Sequence, residues 1–219
     1  MIEKTQIEEF VRQARRVGAA GLTTCSSGNL SWRIGDEALV SGTGSWLPEL
    51  VEEKVSICKV ETGEVQNGIK PSMESVFHLG IMRNRPDVNV VLHFQSPYAT
   101  LLACSKDRPA SINVTAEVPL YVGRVIPEIP LLRPGSTELA DAVVEAMKTR
   151  NSIQLLKHGQ VVVGKDFNDA FQRAMFFEMA CRLTYQALQA GTQPNVLTEE
   201  EIDALEMYFV GHTTKDGLF

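Results

Sequence analysis

The chain has 219 residues, 44% of them hydrophobic and 22% charged, which suits a full apolar core in a single domain spanning 1–219. Its formal net charge of −6, from 21 Lys and Arg against 27 Asp and Glu, argues against a nucleic-acid or anionic-membrane partner. The widely spaced Cys25, Cys58, Cys104 and Cys181, with no CxxC pairing, fit reduced thiols in a cytoplasmic protein, and neither the opening residues nor any later run reads as a signal peptide or membrane span.

Ile7, Phe10, Val11 and Ala14 recur at helical spacing, so Thr5–Val17 is expected to form an amphipathic helix closed by Gly18 and Gly21. Asn29–Ile34 and Ala38–Ser41 flank Gly35-Asp36 and read as a hairpin. Pro71-Ser72 precedes a helix over Glu74–Arg83, with Ser72 as its expected cap. Val88–Leu92 is an apolar, β-branched run suited to a strand buried on both faces. A helix follows from Pro97 to about Cys104, and Ser136 caps another reaching Met147. Strands Ile153–Leu156 and Gln160–Val163 enclose His158-Gly159. A long helix over Asn168–Ala190 ends at Gly191, and a last one starts at Thr198. Strands interleaved with helices predict an α/β fold: three α/β/α layers around a mixed central sheet.

Four clusters could carry chemistry. Ser26-Ser27-Gly28-Asn29 and Ser41-Gly42-Thr43-Gly44 combine glycines with hydroxyls at strand edges, as an oxyanion cradle requires, although ordinary turns share that composition. Glu74 falls at a helix start, where it could act on a substrate or simply complement the helix dipole. His93 and Gln95 are two apart at a strand end, so both side chains can face one point. His158 occupies a second strand end, while His78, four residues after Glu74, could pair with it on the helix surface. Either imidazole, taken alone, could be a hydrogen-bonded core residue. No Walker A, GxGxxG or HExxH pattern occurs.

The order of these clusters is more specific than any one of them. Gly28-Asn29-Leu30-Ser31, Ser41-Gly42-Thr43-Gly44, Pro71-Ser72-x-Glu74, Arg85-Pro86-Asp87-x-Asn89-x-Val91-x-His93, Pro134-Gly135-Ser136-x-Glu138-Leu139-Ala140 and His158-Gly159 follow one another along the chain. Together they resemble the class II aldolase/adducin family, with the nearest likeness to its L-fuculose-phosphate aldolases, from about Gly21 to Gly164.

The resemblance implies a divalent metal, zinc first, held by His93 and His158. Gln95 stands where the family's strand motif has a second histidine, so it is the expected third ligand and leaves room for manganese or another metal. It implies that Glu74 is the acid/base, with a pKa raised by burial, and that Asn29, Thr43, Gly44 and Ser72, with Ser27 beside them, hold a substrate phosphate. Met73 replaces a serine of that cradle, and Glu117 could supply a further acid. The reaction implied is aldol cleavage or formation in a small phosphorylated ketose through an enediolate. Epimerisation, dehydration or decarboxylation on the same fold, and a non-catalytic adducin-like interaction domain, are the alternatives. Lys157, beside His158, is the one lysine placed for an imine mechanism and fits the surface better. A homotetramer with sites between subunits is expected, with the segment around Tyr208 and His212 reaching a neighbour.

Overall fold

The amphipathic opening segment folds as α1 (Lys4–Ala19), burying Phe10, Val11, Ala14 and Val17 in the computed structural model, which describes residues 2–216. The hairpin forms as read: β1 (Asn29–Ile34) and β2 (Glu37–Ser41) pair antiparallel across a turn with Gly35 at φ 64°. A strand not foreseen, β3 (Val55–Lys59), pairs with β2. Next come α2 (Ser75–Asn84), β4 (Val90–Phe94), α3 (Pro97–Cys104), a π-helical segment Val118–Gly123 and the two-residue β5 (Glu128–Ile129). Helix α4 (Thr137–Met147) starts where expected, because Ser136 Oγ accepts from Leu139 N at 3.2 Å. Strands β6 (Ser152–Leu155) and β7 (Gly159–Gly164), then α5 (Phe167–Gln189) and α6 (Glu199–Asp216), complete the chain.

The strand order is β3-β2-β1-β4-β7-β6-β5, antiparallel throughout except for the parallel pair β5–β6. The sheet is therefore mixed, as expected. Alternation along β4 sorts the two cores: Val90, Leu92 and Phe94 join a cluster with Phe10 of α1 and Phe177 of α5, while Val91 joins Phe77, Leu139 and Val143 from α2 and α4. Helices cover both faces, which gives the three α/β/α layers. Burying one face at about 25 cal/mol per Å² ties each side chain to its layer, since a slip of one residue would exchange them.

Two boundaries moved in ways that matter. Strand β4 ends two residues later than the apolar run suggested, so His93 lies within the strand. Helix α2 begins at Ser75, leaving Glu74 at the N-cap position with φ −93° and ψ 2°. Ser72 is thus not its cap. Its amide instead donates to the Ser41 carbonyl at 3.0 Å, and its own carbonyl accepts from Ser75 N at 3.0 Å.

Candidate active site

The site lies on the α2/α4 face of the sheet, at the end where β1, β4 and β7 neighbour one another. Asn29 of β1 is directly opposite His93 of β4 in the antiparallel register. Backbone bonds draw the loops together above them: Thr43 N donates to Lys70 O at 3.0 Å, and Gly42 bridges to Pro71. A cavity of ≈ 140 Å³ results, lined by Ser26, Ser27, Gly28, Asn29, Gly42, Thr43, Gly44, Ser45, Ser72, Met73, Glu74, His93, Gln95, Pro134 and His158. Every residue expected to meet there does so except Glu117. That residue precedes the π-helical segment and does not line the cavity within this chain. Lys157 is exposed and also lies outside the lining. The side chain of His212 lies outside the described residues, and Tyr208 is exposed on α6.

Glu74, His93 and His158 form the centre. Glu74 Oε2 is 3.4 Å from His93 Nε2, and Glu74 Oε1 is 3.4 Å from His158 Nε2. One ligand atom from each lies within 4.8 Å of the others. Glu74 Oε1 and His93 Nε2 are buried without a hydrogen-bond partner, a costly state for polar atoms unless something occupies the space between them. His93 Nδ1 lies 2.9 Å from the Gln160 carbonyl oxygen, so it must carry the proton and leave a lone pair on Nε2. This donor set, two imidazoles with a carboxylate, fits a divalent cation. Gln95 lines the same cavity, with its Cγ packed over Gly159.

Burial pushes the Glu74 carboxyl up. Attraction from His93, donation from the Asn29 amide, and attraction from His158 and His78 outweigh it, so its pKa lies below the usual carboxylate range. The raised value expected from burial alone is therefore corrected: neighbours decide the sign. Burial, reinforced by repulsion from His93, lowers His158 to about 4, so its imidazole is neutral near neutrality and available as a ligand.

The cradle has no Lys or Arg in its lining. Its donors are backbone amides, hydroxyls and an amide side chain, with Gly28 and Gly44 at φ 77° and 69°. At Gly28 a side chain would also strike Thr23 Cγ2 and the His93 carbonyl, at 2.7 and 2.8 Å, so the loop requires glycine. Ser27 Oγ accepts from Thr24 N at 3.0 Å, fixing that turn. Asn29 is more committed than expected, since its Nδ2 donates to Glu74 Oε2 at 2.9 Å and its Oδ1 meets His78 Nε2 at 2.5 Å.

His78 is the residue whose place the sequence reading missed. It is fully buried under the sheet rather than paired with Glu74 on a helix surface. The available signal was period two on β1: Asn29 and Ser31 share a face, and His78 bonds to both. A larger cavity of ≈ 280 Å³ lies beneath the 105–113 loop, but its arginines, Arg108 and Arg124, are already paired with Glu128 and Asp203.

Comparison with known proteins agrees with this geometry. The family described as "Class II Aldolase and Adducin N-terminal domain" matches residues 8–185. A 3-oxo-tetronate 4-phosphate decarboxylase of Haemophilus influenzae is 34% identical over 209 residues, covering 94% of this chain and 98% of the relative. A 5-deoxy-D-ribulose 1-phosphate aldolase of Bacillus thuringiensis serovar kurstaki is 30% identical over 215 residues, covering 97% and 99%. The crystal structure of YgbL from Escherichia coli superposes with a TM-score of 0.84 at 30% identity, covering 92% of this chain and 97% of that one. Sheet order, converging imidazoles, glycine–hydroxyl cradle and full-length relatives all point one way, and the chain belongs to the class II aldolase and adducin family.

Proposed function

We propose that the protein is a metal-dependent lyase acting on a small phosphorylated sugar acid, and that its reaction is decarboxylation of a 3-oxo acid phosphate. The observation that carries this is the cluster of Glu74, His93 and His158, with ligand atoms within 4.8 Å of one another and Glu74 Oε1 and His93 Nε2 unpartnered, in a cavity lined by hydroxyls and amides. The full-length likeness to 3-oxo-tetronate 4-phosphate decarboxylases favours decarboxylation over the aldol cleavage expected first. Aldol chemistry on a ketose phosphate is the second reading, supported by the likeness to a 5-deoxy-D-ribulose 1-phosphate aldolase over nearly the whole chain.

The mechanism follows from the residues. Asn29, Thr43, Gly44 and Ser72, with Ser27 beside them, hold the phosphate through neutral donors, so remote binding energy positions the reacting carbons. His93, His158 and Glu74 would hold the divalent metal, zinc first, with Gln95 as a further oxygen donor that leaves manganese open. When bound there, the metal would supply Lewis-acid stabilisation of the negative charge developing on the substrate's carbonyl and hydroxyl oxygens. Breaking the carbon–carboxylate bond leaves its electron pair in an enediolate, which must then gain a proton at carbon. Glu74, the one carboxylate lining the cavity, is the group proposed to carry that proton.

We further propose a cytoplasmic homotetramer in which a neighbour's Glu117 or Tyr208 supplements the site. Cys25, Cys58, Cys104 and Cys181 are all unpaired thiols, which supports a reducing compartment. A monomer in sedimentation at micromolar concentration would defeat the assembly.

The decisive assay offers the purified protein a 3-oxo-tetronate 4-phosphate and, separately, dihydroxyacetone phosphate, each with and without chelator. Chelator-sensitive release of CO2 supports decarboxylation. Chelator-sensitive exchange of the C3 proton of dihydroxyacetone phosphate, without CO2 release from the acid, supports the aldol reading. Neither reaction, from a protein that binds no metal, would overturn both.

A further inference from the structure

Beneath the cavity floor runs a chain of hydrogen bonds that reaches Glu74 through two residues, Ser31 and His78, that the chemistry above does not use. Ser31 Oγ lies 2.7 Å from His78 Nδ1, and His78 Nε2 lies 2.5 Å from Asn29 Oδ1. Asn29 Nδ2 then lies 2.9 Å from Glu74 Oε2. Ser31 and His78 are fully buried, and Asn29 and Glu74 are 7% exposed. Water does not compete for these bonds, so each atom must find its partner within the chain.

Donor and acceptor roles are then forced from one end. An ionised Glu74 only accepts, so Asn29 must turn its NH2 toward it. That leaves Asn29 Oδ1, an acceptor, facing His78 Nε2, which must carry the proton. His78 Nδ1 is left with a lone pair and accepts the Ser31 hydroxyl proton. All three bonds point toward Glu74.

We infer that His78, backed by Ser31, is a positioning residue: it fixes the orientation of the Asn29 amide, which in turn holds the Glu74 carboxylate in register with His93 and His158. The role rests on the assignment of Glu74 as the proton carrier, but the bond pattern does not. Each part comes from a different element: Asn29 and Ser31 from β1, and His78 from α2, one turn after Glu74. The ring stacks on Phe77 at 4.8 Å, with an interplanar angle of 20°, which limits its rotation. Both ring nitrogens are committed, Nε2 to Asn29 Oδ1 and Nδ1 to the Ser31 hydroxyl, which matches the neutral tautomer protonated on Nε2. Without His78, the buried Asn29 Oδ1 would lose its donor, and the amide would no longer be braced from behind against Glu74.

The first test needs no substrate. Histidine-selective 15N labelling of the metal-free protein should show His78 at pH 7 as a neutral ring protonated on Nε2, with Nδ1 shifted as a hydrogen-bond acceptor. Ser31→Ala should move the Nδ1 resonance and leave Nε2 protonated. A ring protonated on Nδ1, or a charged ring at pH 7, would overturn the bond pattern whatever the enzyme's reaction proves to be.

The second test is kinetic, on the metal-loaded enzyme and whichever lyase reaction the wild type catalyses. His78→Phe keeps the stacking and loses both bonds, and should lower kcat by about 10- to 100-fold, the usual effect of removing such a support. KM should change less than kcat, because Thr43, Gly44, Ser72 and Ser27 of the phosphate cradle make no bond to His78. His78→Gln can still offer an N–H to Asn29 and should recover part of the loss. A folded His78→Phe protein with wild-type kcat would overturn the positioning role. If the wild type is inactive on every substrate offered, the proposed function fails, and the 15N spectrum still decides the bond pattern.

Discussion

His93 Nδ1 and the Gln160 carbonyl oxygen lie 2.9 Å apart across the β4–β7 pair, and this bond fixes which ring nitrogen faces the cavity. Gln160 is buried in β7, so the carbonyl cannot drift, and the imidazole is aimed before any cation arrives. Zinc added to chelator-treated protein should therefore raise Tm in a concentration-dependent way, by about 2.7 kcal/mol of added stability at 100 times Kd. His93→Ala and His158→Ala should each abolish that rise and the activity with it. An undiminished rise in either variant, read by calorimetry, would place the metal elsewhere.

Gln95 invites the opposite experiment. It lines the cavity beside His93 and His158, but an amide oxygen is a poorer zinc donor than imidazole. Gln95→His should tighten zinc binding by on the order of tenfold, about 1.4 kcal/mol, as measured by competition with a chromogenic chelator. Unchanged affinity would mean that this side chain does not face the metal.

The pH dependence of stability isolates His78. Its folded pKa of about 3 lies below the ordinary 6.5, so between those values the unfolded chain binds more protons. Its contribution is complete above about pH 6.5 and is lost as pH falls toward 3. From pH 7.5 to 5 this group alone should remove about 2 kcal/mol. Urea unfolding of metal-free wild type and His78→Gln should show that part of the acid-side loss missing from the variant. Parallel curves would show that the imidazole is not held neutral.

Glu178 of α5 serves stability rather than chemistry. Its carboxylate accepts from Ser96 Oγ at 2.6 Å and from the amides of Tyr98 and Ala99, both at 2.9 Å, closing the start of α3 just after Gln95. Three bonds to one charged acceptor at a helix N-terminus should make Glu178→Ala cost about 2–3 kcal/mol, with the loss visible as a lower urea midpoint. A change below 0.5 kcal/mol would show that water replaces the carboxylate without penalty.

What the sequence disclosed depends on how local the cause was. The hairpin at Gly35 and the cap at Ser136 were legible because a turn or a single hydroxyl determines them. Strands β3 and β5 were not, since Val55–Lys59 and Glu128–Ile129 owe their extension to neighbours in the sheet. At the site, Glu74, His93 and His158 were named from motif order. Their meeting depends on the Asn29–His93 register and on the tie from Ser72 to Ser41, both long-range. The same distance hid His78: helical spacing linked it to Glu74, whereas its partners Asn29 and Ser31 lie on a strand more than forty residues away.

Gly159 tests how closely β4 and β7 must pack beside the Glu74, His93 and His158 cluster. A Cβ there would come within 2.5 Å of the Phe94 carbonyl oxygen, 2.8 Å of Gln95 Cγ and 3.0 Å of His93 Cε1. Gln95 could swing aside, but the backbone carbonyl could not without opening the β4–β7 ladder, and His93 would move with it. Overpacking of this kind typically costs about 1–3 kcal/mol. Because the displaced atoms surround the ligand cluster, the damage should extend beyond stability. Gly159→Ala should bind zinc more weakly and lose kcat even at saturating metal, while a surface substitution of equal thermodynamic cost should not. Wild-type zinc affinity in a folded Gly159→Ala protein would show that the cluster tolerates a displaced β4, and that Gly159 serves the turn alone.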